Sequence, residues 1–428
     1  MMSSRYLTLA ALVVSPLAAL AQCPGTWLQS PMTSTGVDRR VLGTALWDPD
    51  GPGPLSVTPV IVGDFENTGT QPLSRVGMWN GSAWVNLGAG FDTFAQCVHV
   101  TASNQLIVGG WFSFSGTTPV SRIARFDGTN WQPLGTGTNS VVFAITSTPN
   151  GAIYAGGWFT QAGNAFNSRV AMFMNNQWFV PGGQPSNDWV WDLTARPNGV
   201  VIAGGAFRFM GSANTFRLAQ FNGVSWSQVG GSLTNGLEVY ETFLMPNGDL
   251  IISGNFTEVN GVAAQNVARF DGTQWHAMGS GFLAPARDFA VVNGDLYAVN
   301  ARLSPTTVAG NLVKWTGTTW TELAVSNGTV FELLALPSGE LLVAGDFTQF
   351  ADQPYTRIAL YRPGCACDSI DFNNDGVFPE NQDVIDFFNV LAGATCATCN
   401  DIDFNNNTVF PEDQDVIDFF NVLAGGTC

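Results

Sequence analysis

The sequence predicts an all-β ring of seven four-stranded units, followed by a small α-helical domain. Two sequence markers recur about seven times along residues 22–362, and an acidic segment is duplicated within residues 363–428. Four short strands per repeat, punctuated by glycine and aromatic residues, are typical of a β-propeller blade, so the repeats predict a seven-bladed β-propeller. We expect three parts: a signal peptide at residues 1–21, the propeller at 22–362 and the helical domain at 363–428.

Residues 1–21 have the features of a secretory signal peptide. Arg5 supplies the positive charge, Leu7 to Leu20 is apolar, and Ala19-Leu20-Ala21 fits the small-residue cleavage rule. The alternative is a membrane anchor, but the apolar run is shorter than the roughly 20 residues that cross a bilayer. No later segment is long enough either. We therefore expect a secreted protein, extracellular or at the cell surface, without a membrane span.

The first repeat marker is a tryptophan that follows a short turn, with a spacing of 45 to 49 residues between copies. Trp27 is a candidate for an earlier copy. The second marker is a Gly-x-Phe triplet, which has six clear copies and a degenerate one near Asn300 to Leu303. The recurring tryptophans are Trp84, Trp131, Trp178, Trp226, Trp275 and Trp320.

One repeat shows how the four strands are predicted. Asp127-Gly128 and Pro149-Asn150-Gly151 are turn signals that separate short apolar runs. No segment of residues 22–362 has a convincing helical period. The predicted strands of this repeat are Ile123 to Phe126, Trp131 to Leu134, Val141 to Thr146, and Ile153 to Gly157.

The two ends of the repeat array predict how the ring closes. The array begins on a tryptophan strand at Trp27 and ends on the strand Arg357 to Tyr361, and in complete repeats these two strands form one hairpin. Pairing the two half-hairpins would leave no open sheet edge. We expect the N- and C-terminal strands of the propeller to share a blade.

These repeats resemble kelch-like propellers, and more closely the secreted propellers with Gly-Gly-x-Phe and Phe-Asp-Gly-x-x-Trp units. The resemblance covers residues 22–362 and implies a propeller fold with a general interaction role. It implies no particular ligand, so a carbohydrate and a protein both stay open. Charged residues are sparse, at 11% of the sequence. No basic patch is present, which excludes a nucleic-acid binder.

The propeller sequence contains no residue set that predicts catalysis or cofactor binding. His99 and His276 lie in or beside predicted strands and are interpreted as structural residues rather than as members of a Ser-His-Asp triad. A repeated arginine near the start of the third strand, at Arg75, Arg122, Arg169, Arg217 and Arg357, is also interpreted as structural. Convergence of carboxylates such as Asp64, Asp92 and Asp346 on one face would instead favour an enzyme.

Departures from the repeat are the candidates for a ligand site, because function concentrates on loops. They are the longer connection at residues 31–58, the Trp189-Val190-Trp191 pair, and Trp111 and Trp158 at the variable position of Gly-x-Phe. Tryptophan faces can stack on sugar rings. We expect packing between blades as the more common role of these side chains.

The acidic tail carries two copies of a calcium-loop pattern, 32 residues apart. The net charge of the chain is −17, and residues 365–428 contain 12 acidic residues and no lysine or arginine. Oxygen ligands at alternate positions, followed by a carboxylate at the start of a helix, are typical of an EF-hand-like Ca²⁺ site. The predicted ligands are Asp371, Asn373, Asp375, Val377 (through its carbonyl) and Asp383 in the first loop, and Asp403, Asn405, Asn407, Val409 (through its carbonyl) and Asp415 in the second.

Each loop is followed by the same 11-residue amphipathic segment, at 383–393 and 415–425. Two such loop–helix units resemble a dockerin module, in particular the cysteine-containing variety of secreted planctomycete-type proteins. The resemblance implies a cohesin-like protein partner. The closing Asp is one position later than in the family pattern, and the roles of Glu380 and Glu412 stay open. The second loop has Asn407 and Thr408 where the first has Asp375 and Gly376, so we expect it to bind Ca²⁺ more weakly.

The cysteines of the tail suggest one disulfide per repeat, within 367–396 and 399–428. Their matching offset of 32 residues favours Cys367–Cys396 and Cys399–Cys428, although sequence cannot prove connectivity. Cys365 would be left over, or paired with Cys23 or Cys97.

The leading functional hypothesis is a secreted, non-enzymatic, monomeric interaction protein, with the propeller as a binding platform and the tail as a docking module. The alternative is a propeller-type glycan-active hydrolase or lyase that the same module delivers. A third option is a tail that serves as a sorting or surface-retention tag.

Overall fold

The structure is a computed structural model of the chain. It describes residues 25–428 except 70, 167–168, 184, 232, 234–235, 305–309, 364–369, 374–380, 397–398, 401, 403, 405–412 and 424–428. The predicted signal peptide at 1–21 lies outside these residues. The chain divides into two compact units, Thr26–Pro363 and a second unit to which Gly364–Cys428 belongs. No described helix is both long and apolar enough to cross a membrane.

The described residues of the first unit form seven four-stranded antiparallel sheets, the predicted blades. First strands of successive blades contact one another around a closed circle, from blade 1 to blade 7 and back to blade 1. A seven-bladed all-β propeller is therefore confirmed. Blades 1 to 3 consist of Val41–Trp47, Thr58–Gly63, Val76–Trp79 and Trp84–Asn86; Ala95–Val100, Leu106–Gly110, Ile123–Phe126 and Trp131–Pro133; Val142–Ser147, Ile153–Gly157, Val170–Met174 and Gln177–Phe179.

The remaining blades follow the same order of strands, except that blade 7 takes its outermost strand from the beginning of the chain. Blades 4 to 7 consist of Val190–Ala195, Val201–Gly205, Leu218–Phe221 and Trp226–Gln228; Glu238–Leu244, Leu250–Asn255, Val267–Phe270 and Trp275–Ala277; Asp288–Val292, Asp295–Val299, Asn311–Trp315 and Trp320–Val325; Thr329–Ala335, Leu341–Asp346, Ile358–Arg362 and Thr26–Leu28.

Ring closure occurs as the sequence predicts. The strand Thr26–Leu28 pairs antiparallel with Ile358–Arg362, and Trp27 stands opposite Tyr361. The Trp27 ring packs 4.4 Å from Phe350 and 4.9 Å from Tyr361, measured between ring centroids. Both backbone pairing and aromatic packing therefore join the two ends of the propeller.

Two kinds of element go beyond the sequence prediction. Among the described residues, six blades have a small hairpin of two 2-residue strands between their second and third strands. Short helices lie at Pro31–Thr35 (α-helical) and Pro181–Gly183 (3₁₀). The hairpin strands are Asn67–Thr68 and Gln71–Pro72, Phe114–Ser115 and Thr118–Pro119, Gln161–Ala162 and Ala165–Phe166, Phe209–Met210 and Ala213–Asn214, Glu258–Val259 and Val262–Ala263, and Gln349–Phe350 and Gln353–Pro354.

In five blades the repeated tryptophan makes a hydrogen bond to the structure that precedes the blade. Trp131 Nε1 donates to the carbonyl oxygen of Leu87 at 2.8 Å, and Trp178 Nε1 donates to that of Leu134 at 2.9 Å. Trp84, Trp226 and Trp275 make equivalent bonds. These indoles are almost completely buried. One residue type thus supplies both the apolar packing and a directional contact between blades.

The glycine of Gly-x-Phe is required by a close approach of two backbone segments. A Cβ atom added to Gly157 would lie 2.2 Å from the carbonyl oxygen of Val141, and one added to Gly205 would lie 2.2 Å from that of Trp189. Since such distances are well inside van der Waals contact, no side chain fits. The marker therefore reports a backbone contact between the first and second strands of a blade.

The repeated arginine has a structural role, as expected. Arg75, Arg122, Arg217 and Arg357 adopt positive φ angles of 67° to 72°, which is uncommon for a residue with a side chain. The backbone N–H of Arg122 donates to the carbonyl of Phe112, and its carbonyl accepts from Gly110 N. The arginine thus connects the third strand to the Gly-x-Phe triplet.

The second unit contains two helices, Asn381–Leu391 and Asp413–Leu423, each 11 residues long. Phe387 and Phe419, at equivalent positions, stack with ring centroids 4.2 Å apart and planes within 5° of parallel. Phe372 and Phe404 pack edge-on against them. All four rings are fully buried, so the duplicated sequence forms one small shared core.

Candidate functional site

The central channel of the propeller contains a cavity of about 310 Å³, to which the first strands of all seven blades contribute residues. In six blades the first strand has a β-bulge, where one residue has no partner on the second strand. A bulge re-aims the side chains that follow it. Here the bulged residue and the residue after it both line the cavity.

The position after the bulge is acidic on one side of the channel. Blades 1 to 3 have the small side chains of Gly43, Cys97 and Ala144 at this position. Blade 6 lacks the bulge but contributes an acidic residue at the first position of its strand. The four channel carboxylates are Asp192, Glu241, Asp288 and Glu332.

Three of these carboxylates accept hydrogen bonds from the backbone of another blade. Asp192 accepts from the N–H of Thr242 at 2.8 Å. Asp288 accepts from Leu333 N at 2.6 Å, and Glu332 accepts from Thr44 N at 3.2 Å. In the described part of the chain, no hydrogen bond reaches the carboxylate of Glu241. Glu241 is therefore the channel acid without a role in holding blades together.

Burial raises the pKa of each channel carboxyl. The pKa of Asp288 rises to about 7, and those of Glu241 and Glu332 rise well above the ordinary range. Negative charge on the neighbouring acids adds to the effect of burial at both glutamates, and Arg287 opposes it at Glu241. The channel therefore disfavours the simultaneous ionisation of all four groups.

The bulged position is aromatic in four blades, which supplies Phe143, Trp191, Tyr240 and Phe331 to the same cavity. Trp191 lies 4.8 Å from Phe143 and 6.2 Å from Tyr240, measured between ring centroids. The Nε1 atom of Trp191 is buried and has no hydrogen-bond partner among the described residues. The cavity thus combines apolar rings, acidic groups and one unused donor.

The aromatic surface continues out of the channel. Trp189 lies 5.3 Å from Trp191 and 4.8 Å from Trp158, measured between ring centroids. Trp158 is 43% exposed, and Trp111 of the preceding blade is 41% exposed. Trp158 does pack between blades, since Trp189 directly precedes the first strand of blade 4, but both Trp158 and Trp111 are also partly exposed. The Gly-x-Phe turn places its middle residue beyond the end of the second strand.

The acids that were expected to reveal an enzyme each have a partner of their own. Asp64 is bound by Arg40 at 2.6 Å, and Asp346 lies 3.9 Å from Arg357. Asp92 accepts from Ser113 N and Phe114 N, which holds a loop. The carboxylates that line a common cavity are those of the channel. Within the described part of the chain, no three acidic, histidine or cysteine side chains are placed to hold a metal ion.

The histidines have structural environments and form no triad. His99 Nε2 lies 2.8 Å from Ser147 Oγ, and burial lowers the pKa of His99 to about 4. His276 Nε2 lies 2.6 Å from Asp271 Oδ2, in the turn that connects the third and fourth strands of blade 5. Each histidine thus has a different one of the two partners that a triad requires.

The amino-acid sequence does not reveal the channel acids by alternation, because a bulge reverses the alternation of a strand. Val239 stands opposite Gly254, and Glu241 stands opposite Ser253, so these two residues point to opposite faces although they are two apart. The usable signal was the recurrence of an acid two residues after a small apolar residue, as in Val190-Trp191-Asp192 and Val330-Phe331-Glu332.

Four of the ten predicted calcium ligands lie within the described residues. Asp383 and Asp415 are each the third residue of their helix and are completely buried. Asp371 and Asn373 flank Phe372, whose N–H donates to Asp383 Oδ1 at 2.9 Å. The closing carboxylate is therefore held against the beginning of the first loop. Asp375, Val377, Asp403, Asn405, Asn407 and Val409 lie outside the described residues, as do Glu380 and Glu412.

Among the described residues, the disulfide differs from the expected pairs. Cys396 and Cys399 are bonded to each other, with Cα atoms 5.4 Å apart. This separation lies in the normal range for a disulfide. Pairing of Cys396 with Cys367, and of Cys399 with Cys428, is therefore wrong. Cys97 is a free thiol in the channel wall, while Cys23 and Cys365 lie outside the described residues.

The fold and the channel define a seven-bladed β-propeller protein with an aromatic and acidic central cavity. The family model of a domain of unknown function, the DUF5122 beta-propeller, matches residues 101–131. That segment includes the Gly-x-Phe triplet and repeated tryptophan of blade 2. No curated protein matches the chain.

Solved structures share the propeller fold at low sequence identity. The extracellular domain of BT4673 from B. thetaiotaomicron is 10% identical with a TM-score of 0.50, over 84% of this chain and 42% of that one. The WD40 beta propeller domain of Doa1 is 12% identical with a TM-score of 0.49, over 80% of this chain and 97% of that one. These similarities concern the fold alone.

Proposed function

We propose that the chain is a secreted, non-enzymatic binding protein. Its propeller presents the aromatic and acidic channel to a ligand, and its C-terminal unit is a calcium-dependent, dockerin-like module that docks to a cohesin-like domain. Secretion rests on the signal-peptide features of residues 1–21. The two halves of the proposal rest on different residues and can be tested separately.

The observation that carries the docking half is the burial of Asp383 and Asp415. Both are completely buried at the first turn of their helices, 32 residues apart. A buried carboxylate is costly unless it is hydrogen-bonded, paired or bound to a cation. Asp371 and Asn373 lie beside Asp383 and offer further oxygen ligands of the kind that Ca²⁺ prefers. These oxygen groups support the proposal of a calcium site in the first loop.

Calcium, when bound, would supply the positive charge that lets the loop carboxylates approach one another. Metal binding and folding are coupled when the ligands repel each other in the metal-free chain. Asp383 and Asp415 would connect the loops to the helices, so that calcium in the loops orders the Phe387–Phe419 core. The second loop has fewer carboxylates and would bind more weakly.

A partner surface is suggested by exposed apolar residues that repeat with the helices. Ile385 and Phe388 are 50% and 42% exposed, and their equivalents Ile417 and Phe420 are 47% and 41% exposed. The rings of Phe388 and Phe420 lie 5.9 Å apart. Together the four side chains form one apolar patch across both helices. Exposed patches of this kind mark interaction sites.

Binding is favoured over catalysis because three of the four channel acids are occupied by backbone N–H groups. A glycan-active enzyme is a second candidate, favoured by the raised pKa of Glu241 and Asp288 in one cavity, since a protonated carboxyl can act as a general acid. Hydrolysis of a glycan panel by the full chain, lost in Glu241→Gln, would support that candidate.

The docking half is tested on the full chain with and without a calcium chelator. We expect the chelator to reduce the far-ultraviolet helix signal and to abolish capture of a partner from cell-envelope extract, with calcium restoring both. The double variant Phe388→Ser, Phe420→Ser should keep the calcium-dependent helix signal and lose capture. The exposed propeller variant Phe166→Ser is the matched control and should retain capture. A helix signal indifferent to the chelator would overturn this half of the proposal.

A further inference from the structure

We propose that the channel cavity binds an alkylammonium group, either of a free amine or of a lysine side chain. The inference deepens the proposed binding role of the propeller, on which it rests, by naming the chemical class of the ligand. Three independent features of the cavity support it: its charge, its aromatic wall and its size.

The charge of the cavity selects a cation. Four carboxylates line it, and Arg287 is the single basic residue among the lining residues. Arg287 is exposed. Since Glu241 accepts no hydrogen bond from the described residues, its carboxyl group is available to a donor from outside. An ammonium group would provide such a donor, and its positive charge would favour the ionised form of Glu241.

The aromatic wall selects an organic cation over a metal ion. Phe143, Trp191, Tyr240 and Phe331 line the same cavity as the acids. Aromatic rings attract ammonium and alkylated ammonium groups through their quadrupole, whereas Mg²⁺ and Ca²⁺ require several converging oxygen ligands. As stated above for the described residues, no three acidic, histidine or cysteine side chains are placed to hold a metal ion. The rings would contact the methylene groups and the charged head together.

The size of the cavity limits the ligand to one chain-like group. A volume of about 310 Å³ is at the lower end of the range for small-molecule sites. The aromatic series from Trp191 through Trp189 to Trp158 extends from the cavity to the exposed surface. A ligand could therefore place its ammonium group in the channel while its remainder lies along this surface. This arrangement suits a lysine side chain or an extended amine.

The test is calorimetric titration of the full chain in calcium-containing buffer with two charged probes. Pentylamine represents a free amine, and acetyl-Gly-Lys-Gly-amide represents a lysine side chain. Pentanol and the corresponding norleucine peptide are their neutral controls. We expect at least one charged probe to bind about tenfold or more tightly than its control, and the stronger of the two identifies the source.

Variants locate the site. Glu241→Gln should weaken binding of the charged probe about tenfold, and Glu258→Gln on a surface hairpin of the same blade should not change it. Phe331→Leu removes one ring and should also weaken binding, which keeps the test valid if the first variant fails to fold. Equal affinity for charged and neutral probes, no saturable binding of either charged probe, or full binding by both channel variants would overturn the proposal.

The outcome is distinguishable from failure of the docking half of the proposed function. Chelation is read out on the helices of the C-terminal unit, whereas amine binding is read out on propeller residues. A chain with a calcium-insensitive helix signal that still binds the amine would retain this inference. A chain with the reverse behaviour would lose it.

Discussion

At the residue scale, the position that follows the β-bulge decides the character of the channel. The same bulged conformation precedes Gly43, Cys97 and Ala144 in blades 1 to 3 and an acid in blades 4, 5 and 7, whereas blade 6 places its acid without a bulge. Asp192, Asp288 and Glu332 each reach a backbone N–H of another blade. The channel position is thus small and uncharged in blades 1 to 3. In blades 4, 6 and 7 it carries an acid that forms a hydrogen bond to another blade.

Glu241 provides a prediction about stability and pH. Its pKa is raised by burial and by the neighbouring acids, so the folded chain holds a proton that the unfolded chain releases. Stability from this group is therefore complete at pH about 4 and is lost as the pH rises. We expect Glu241→Gln and the natural chain to unfold at the same temperature near pH 4. At pH 8 the variant should unfold about 2–4 °C higher.

Thermal unfolding of the propeller, followed by tryptophan fluorescence over this pH range, measures the difference. Glu258→Gln is the control, and its curve should run parallel to that of the natural chain. Parallel curves for Glu241→Gln as well would contradict the assigned environment of Glu241.

At this scale, sequence reasoning located the structural residues better than the site. The repeated glycine, arginine and tryptophan were predictable because each has a recurring backbone or packing role. The channel acids were not, since the bulge before Glu241 inverts the face that a regular strand would give it. A bulge leaves no mark in residue type when its own residue varies among Leu42, Gln96 and Trp191.

At the element scale, the tryptophan strand joins blade to blade. Trp178 Nε1 donates to the Leu134 carbonyl of the preceding blade, whereas Trp320 Nε1 is buried without a partner among the described residues. Blade 6 is also the blade whose Gly-x-Phe copy is degenerate in sequence. The blade whose sequence departs most from the repeat therefore also lacks the indole N–H hydrogen bond that Trp84, Trp131, Trp178, Trp226 and Trp275 make, among the described residues.

This difference predicts unequal effects of one substitution. Trp178→Phe should lower the free energy of unfolding by about 1–3 kcal/mol more than Trp320→Phe, because only the first removes a hydrogen bond. Both changes remove similar apolar surface, so each serves as the control for the other. Denaturant unfolding of the two variants measures the difference, and equal losses would show that the indole bond contributes nothing.

The strands and their turns were largely predictable, but the small hairpins were not. Asp127-Gly128 marks a two-stranded hairpin because a tight turn requires residues that tolerate unusual backbone angles. The strand predicted at Val141 to Thr146 occurs at Val142–Ser147. A pair such as Gln161–Ala162 and Ala165–Phe166 is too short to show the alternation on which strand prediction depends.

At the scale of the whole molecule, charge and core are divided between two units. Residues 365–428 carry 12 of the 17 net negative charges, and the core of that unit is formed by its own phenylalanines. The propeller has its cores between blades. The acidity of the chain therefore describes the C-terminal unit more than the propeller.

The ring as a whole depends on a three-residue strand. Trp27→Ala removes the contacts with Phe350 and Tyr361, so we expect a loss of about 3 kcal/mol in propeller stability and faster hydrogen exchange in Ile358–Arg362. The exposed Trp111→Ala is the matched control, with an effect within about 0.5 kcal/mol. Unchanged exchange in Ile358–Arg362 would show that blade 7 is stable without the Trp27 side chain.

Closure by Thr26–Leu28 and Ile358–Arg362 also sets an order of events during biosynthesis. The strand that is made first must wait for a partner that is made about 330 residues later. Six blades can form while the chain is still being made, but the seventh needs both ends, and such distant pairing is slow. A product that stops before Ile358 would present an unpaired sheet edge to the cell's proteases and chaperones. The terminal pairing thus makes a closed ring available only to chains that extend as far as Arg362.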